Sequence, residues 1–120
     1  MTVVTGVENF PALLTLKDNR DFQRLYRRGK SLVSPCVVTY VLKNKQSVSR
    51  YGITASKKIG KAVTRNRARR VIRAAVLELS AEIPLGFDLV FVARGKTPYV
   101  KSYEVKKEIE AHLKKLGVLG

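Results

Sequence analysis

The stretch KKIGKAVTRNRARRVIR, Lys57 to Arg73, places eight cations and one glycine at the start of an amphipathic helix. From about Lys61 to Ala81 the apolar residues Ala68, Val71, Ile72, Ala75, Val76 and Leu79 recur at the i, i+3, i+4, i+7 spacing of a helix packed by one face. At about 100° per residue, Arg65, Arg69 and Arg73 form one ridge away from that face, with Arg70 and Arg67 progressively further round. No Asp or Glu lies between Tyr51 and Leu77, so an i, i+4 lattice of ion pairs cannot neutralise the ridge. Guanidinium forks bind phosphate oxygens in pairs and their faces stack on bases. Gly60 permits close backbone approach, and the free N–H groups of a helix start add to the attraction. The surface is suited to a polyanion, with Lys57, Lys58 and Lys61 extending it into the preceding loop.

Working outward, Val37 to Leu42 and Tyr51 to Ser56 are β-branched and aromatic runs separated by the polar Lys43 to Ser49, and they read as two strands of a hairpin. On the other side, Pro84 and Gly86 stop the basic helix. Phe87 to Ala93, apolar apart from Asp88, reads as a buried central strand. After a loop from Arg94 to Lys101, Ser102 is placed to cap a last helix with Val105, Ile109, Leu113 and Leu116 inward and Lys106, Lys107, Lys114 and Lys115 in water. Near the start, Asn19 or Asp18 caps a short helix carrying Phe22, Leu25 and Tyr26, and Gly29 ends it. Residues 1–16, with Gly6 and Pro11, read as a strand-like or loosely tied N-terminal arm, and 17–120 as a single nucleic-acid-binding domain. The expected order is α-β-β-α-β-α, an α+β, sandwich-like domain with a central sheet.

Composition agrees. A chain of 120 residues, 45% hydrophobic, supports one modest core. Twenty-four Lys and Arg against nine Asp and Glu give a formal charge of +15, costly in self-repulsion unless an anionic partner relieves it. No apolar run approaches the roughly 20 residues that span a bilayer, so no membrane partner is expected. The N-terminus lacks the features of a signal peptide. The single Cys36 precludes an internal disulfide and fits a reducing, cytoplasmic setting.

The chain is poorly equipped for catalysis. His112 is the only histidine and is expected to be structural, Cys36 to pack as a small apolar residue, and Asp88 stands alone in its strand. No catalytic residue and no protein-held metal are expected. Phe22 and Tyr26, four apart on the first helix, and Tyr40 in the first strand could stack on unpaired bases or fill the core; periodicity leaves both open.

The segment from Ser56 to Gly60 through Arg65 to Arg73 resembles the signature of the protein subunit of bacterial ribonuclease P. The likeness extends to Asp21-Phe22-Gln23-Arg24, Gly29, the Phe87 to Arg94 strand and Tyr103-Glu104, covering roughly residues 16 to 116. It implies a small basic subunit of an endoribonuclease that removes the 5′ leader from precursor tRNA. The chemistry would lie on a large catalytic RNA and its Mg²⁺, with one protein per RNA. The resemblance assigns Lys57, Lys58, Lys61, Arg65, Asn66, Arg67, Arg69, Arg70 and Arg73 to the catalytic RNA. It gives Phe22, Tyr26 and Tyr40 to the single-stranded leader, in a cleft between the first helix, the sheet and the basic helix. It also implies a left-handed βαβ crossover, against the general preference. The alternative is a structural RNA-binding protein of ribosomal type. A DNA-binding regulator is disfavoured because a strand and glycine loop, not a short helix and turn, precede the basic helix.

Overall fold

The computed structural model describes residues 13–120. Along them run β1 (Leu13–Thr15), α1 (Asn19–Arg28), β2 (Lys30–Val33), β3 (Val37–Lys43), β4 (Ser49–Thr54), α2 (Ala62–Leu79), β5 (Phe87–Ala93) and α3 (Ser102–Lys115). The strands form one mixed sheet in the order β1-β4-β5-β3-β2. As its near-continuous apolar run predicts, β5 is the central strand, and Leu89, Val90 and Phe91 are fully buried.

The expected hairpin is not formed. β5 lies between β3 and β4, antiparallel to the first and parallel to the second. The reason lies in the link between them, which is long enough to straddle the start of β5: the Asn44 N–H donates to Gly86 O at 2.9 Å and the Gly86 N–H to Val48 O at 3.2 Å. Strands that look like neighbours in sequence are thus spread to cover both edges of the most apolar strand. α2 makes the crossover between the parallel neighbours β4 and β5.

Two further strands lie at the edges. β2, too short and polar to stand out in the sequence, pairs antiparallel with β3. β1 comes from the last residues of the expected arm and pairs parallel with β4, and Leu16 beside it is buried. The rest of that arm, residues 1–12, lies outside the described residues.

Alternation along the strands produces two layers of packing. Leu89, Phe91 and Ala93 of β5 join Val37 and Val41 of β3 against Ile72, Val76 and Leu79 of α2 and Val105, Ile109 and Leu113 of α3. Val90 faces the other way, with Leu16, Leu25, Phe22 and Tyr40. The sheet therefore carries α2 and α3 on one face and α1 on the other.

Polar clamps fix both layers. Asp88, 1% exposed, accepts from Arg50 Nε at 2.9 Å and Nη2 at 2.6 Å and from Asn44 Nδ2 at 2.8 Å. Arg50 also meets Asp21 at 3.4 Å, and Asp21 pairs with Arg24 at 2.6 Å, so the network ties α1 across the strands. Hydrogen bonding to Asp88 outweighs the desolvation of Arg50 and raises its pKa further. Asp88, solitary in the sequence, is the anchor of this network.

On the other face, Glu108 Oε1 accepts from the Ser34 hydroxyl and from the Cys36 N–H, the latter at 2.9 Å. Burial pushes the Glu108 carboxyl up, but those hydrogen bonds prevail and hold it below its ordinary value. His112, 6% exposed, sits 2.8 Å from Thr39 Oγ1, and burial lowers its pKa. Cys36 packs in the core, where burial first and the Glu108 contact second push its thiol up to about 11, far from a reactive thiolate.

Caps differ in detail from expectation. Asp18 precedes α1 without a side-chain capping bond. At α3 the cap is Lys101 rather than Ser102, and the Lys101 N–H donates to the Glu104 carboxylate at 3.4 Å.

Candidate nucleic-acid interface

The path into α2 is set by Gly60. Its φ of 142° lies where side chains with a Cβ are strained, so glycine is the residue that lets the 3₁₀ turn Lys57–Ile59 redirect into the helix. Ile59 packs against the core and leaves Lys57 and Lys58 exposed. Lys61 occupies the N-cap position with no side-chain capping bond, so the first-turn N–H groups of α2 are not met by a cap. Ala68, Ile72, Ala75, Val76 and Leu79 are all buried, as their spacing predicts.

The inward stripe fixes what points outward. Lys57, Lys58, Lys61, Asn66, Arg67, Arg70 and Arg73 are exposed, and Arg65 and Arg69 are half-buried. None of the eight cations makes an ion pair with a described residue. Asn66 holds a neighbour in place: its Oδ1 accepts from Arg69 Nη1 at 2.8 Å. Arg65 Nε is buried without a hydrogen-bond partner, a donor whose desolvation is uncompensated within the described chain.

Arg69 also takes part in a second feature. It lines a groove of about 580 Å³ together with Tyr26, Tyr40, Ile53, Thr54, Ala55, Ser56 and Val92. Tyr26 and Tyr40 meet edge to face, ring centroids 5.0 Å apart and planes at 73°, with Tyr26 36% exposed. An adjoining recess of about 150 Å³ shares Ile53 and is lined by Phe22, Gly52 and Arg73 among others. Arg69 and the tyrosine pair thus border one groove over residues of β4 and β5, and Arg73 borders the adjoining recess.

The three aromatics do not share one position. Tyr26 and Tyr40 are together in the groove, whereas Phe22 is half-buried in the recess, its ring against the backbone of Gly52. The α1 stripe could not separate these cases, because which strand residue opposes each aromatic depends on the strand order. The groove contributions of Thr54 to Ser56 and Val92 were missed for the same reason. Among the described residues no group of three or more His, Cys, Asp or Glu is placed to share a metal ion, and no helix is long and apolar enough to cross a membrane.

The ribonuclease P family model matches residues 10–117. The chain belongs to the ribonuclease P protein family. Among its relatives, the ribonuclease P protein component of Clostridioides difficile is 41% identical over 104 residues, 86% of this chain and 91% of that protein. The component from Caldanaerobacter subterraneus is 40% identical over 86% of this chain and 89% of that protein. Two solved ribonuclease P proteins have the same fold. That of Staphylococcus aureus gives a TM-score of 0.76 at 34% identity, covering 88% of this chain and 97% of the other. That of Thermotoga maritima gives 0.72 at 32%, with the same two coverages. The mixed sheet with three helices is the family's architecture, and none of these likenesses favours the ribosomal-type alternative.

Proposed function

We propose that this member of the ribonuclease P protein family serves the holoenzyme in tRNA 5′ processing by binding two RNAs with two adjoining surfaces. The outward face of α2, with the Lys57–Ile59 turn, docks on the catalytic RNA. Tyr26 and Tyr40 hold the single-stranded 5′ leader of precursor tRNA, and Phe22 shapes the adjoining wall. The observation that carries this reading is the groove itself, where an aromatic pair suited to unpaired bases shares its lining with Arg69, an arginine without an acidic partner among the described residues.

The proposal gives the chain no metal centre of its own, in keeping with the absence among the described residues of any group of three or more His, Cys, Asp or Glu placed to share an ion. The Asp88 carboxylate is taken up by Arg50 and Asn44, and Asp21 by Arg24 and Arg50. In this proposal Mg²⁺ would be held by the RNA and its substrate, where it would supply an activated water for hydrolysis. The chain's own contribution is positioning: holding the leader fixes the substrate relative to the catalytic RNA and converts binding energy into orientation. One protein per catalytic RNA and a cytoplasmic setting belong to the same proposal.

The test is reconstitution with a cognate catalytic RNA at low Mg²⁺, measuring 5′ cleavage of precursor tRNA. Stimulation by the intact chain is expected, and its absence would sink the proposal. Tyr26→Ala and Tyr40→Ala should weaken binding of precursor more than of mature tRNA, which lacks a leader. Equal losses for both would remove the tyrosines from leader binding.

A further inference from the structure

A second aromatic surface lies where β5 leads into α3. The 3₁₀ turn Thr97–Tyr99 packs against α2, with Thr97 and Pro98 buried and the Thr97 hydroxyl donating to Cys36 O at 2.6 Å. Those contacts hold the turn without help from Tyr99, which is 71% exposed. Tyr103, in the first turn of α3, is 60% exposed. Tyr103 follows Tyr99 at i+4, limiting their Cα atoms to at most about 13 Å apart.

Four exposed cations lie within five residues of one or other tyrosine along the chain. Arg94, Lys96, Lys101 and Lys107 are exposed, and none has an ion-pair partner among the described residues. Of the nearby acids, Glu108 is bound to Ser34 and Cys36 and Glu78 to Lys106, which leaves the exposed Glu104, accepting from the Lys101 N–H at 3.4 Å, as one carboxylate against four cations. Exposed aromatics among cations that outnumber the acids suit unpaired bases, the rings stacking and the cations meeting phosphates.

Location decides which RNA. The turn and α3 pack with α2 on one face of the sheet, and α1 with Tyr26 and Tyr40 lies on the other. Neither tyrosine lines the groove that would hold a leader, whereas the turn that carries Tyr99 packs directly on α2, the element that carries the docking face.

We propose that Tyr99 and Tyr103 form a stacking platform for unpaired bases of the catalytic RNA, extending the α2 docking face onto the start of α3. This inference rests on the reading of α2 as the docking face. It assigns the platform a contact chemically unlike that of the arginines, since stacking releases few counterions.

The experiment measures affinity of the full chain for its catalytic RNA across a salt series. The variants are Tyr99→Ala, Tyr103→Ala, the double alanine variant, and Tyr99→Phe with Tyr103→Phe. Both side chains are exposed, so the variants should unfold in urea as the parent does. The double alanine variant should bind on the order of 5- to 100-fold more weakly, with an unchanged salt slope and an unchanged preference for precursor over mature tRNA. The phenylalanine pair should retain affinity. Arg65→Ala is the control and should flatten the slope. If Arg65→Ala acts and the alanine pair binds like the parent, the platform alone is overturned. If Arg65→Ala has no effect, the reading of α2 fails first. Loss of precursor binding without loss of catalytic-RNA binding would also overturn the proposal, by moving the tyrosines to the substrate.

Discussion

Replacing Gly52 by alanine tests how α1 is seated. Gly52 is buried in β4 facing α1, and a Cβ built there would lie 2.4 Å from Cζ and 2.5 Å from Cε1 of Phe22, with Leu16 Cβ at 3.5 Å behind. Ordinary contact begins near 3.4 Å, so ring or helix must move by about 1 Å. Leu16 and Leu25, both buried, leave little room to yield on the core side, and the network through Asp21, Arg24, Arg50 and Asp88 resists a shift of the helix. Overpacking of this kind costs about 1–3 kcal/mol. We expect about 2 kcal/mol because Phe22 is only half-buried and can swing partly into its recess. Near 4 °C per kcal/mol, Tm should fall by about 8 °C. Urea unfolding of Gly52→Ala, Phe22→Leu and the double variant measures this directly. Phe22→Leu removes the clashing ring atoms, so the double variant should recover at least about 1 kcal/mol relative to additivity. Strictly additive losses, or a Gly52→Ala protein as stable as the parent, would refute the packing argument.

Arg69→Ala should lower affinity for the catalytic RNA and flatten its salt dependence by about one phosphate's worth of slope, read from binding at several salt concentrations; an unchanged slope would take Arg69 out of the RNA contact. Asp88→Asn should cost about 3 kcal/mol in urea unfolding, because it strips the partially buried Arg50 of its bidentate acceptor, and a loss under 1 kcal/mol would show the network to be dispensable. Stability should fall on acidification in two stages. His112 has a folded pKa below its ordinary 6.5, so the unfolded chain binds its proton first, and stability present above that value is lost as pH falls below it. Glu108, held below its ordinary 4.5, adds a loss of the same sign at lower pH. His112→Asn should flatten the upper stage only, which denaturation between pH 7 and 5 would check; an unaltered profile would count against the buried, neutral imidazole.

The elements were largely legible and their assembly was not. α2 could be drawn from its apolar stripe because helical periodicity is a local property, and β5 from its continuous hydrophobic run. The pairing of β3 with β4 was misread because adjacency in sequence says nothing about a third strand arriving after an intervening helix. β2 escaped because an edge strand needs little apolar surface. At the site, the cations were readable from charge and spacing, since the absence of nearby acids is visible in the chain. The aromatics were not, because Phe22 and Tyr26 share one helical stripe yet meet different strands, β4 under the first and β3 beside the second.

The sequence by itself determined that this chain carries an unneutralised cationic helix on a small α+β core, and its resemblance pointed to the family. Only the tertiary structure decided that Arg69 shares one groove with Tyr26 and Tyr40, that Phe22 sits apart over Gly52, and that Asp88 anchors α1 through Arg50. The physical reason is that charge and periodicity are written along the chain, whereas a groove exists only once β5 has come between β3 and β4 and brought its lining residues together.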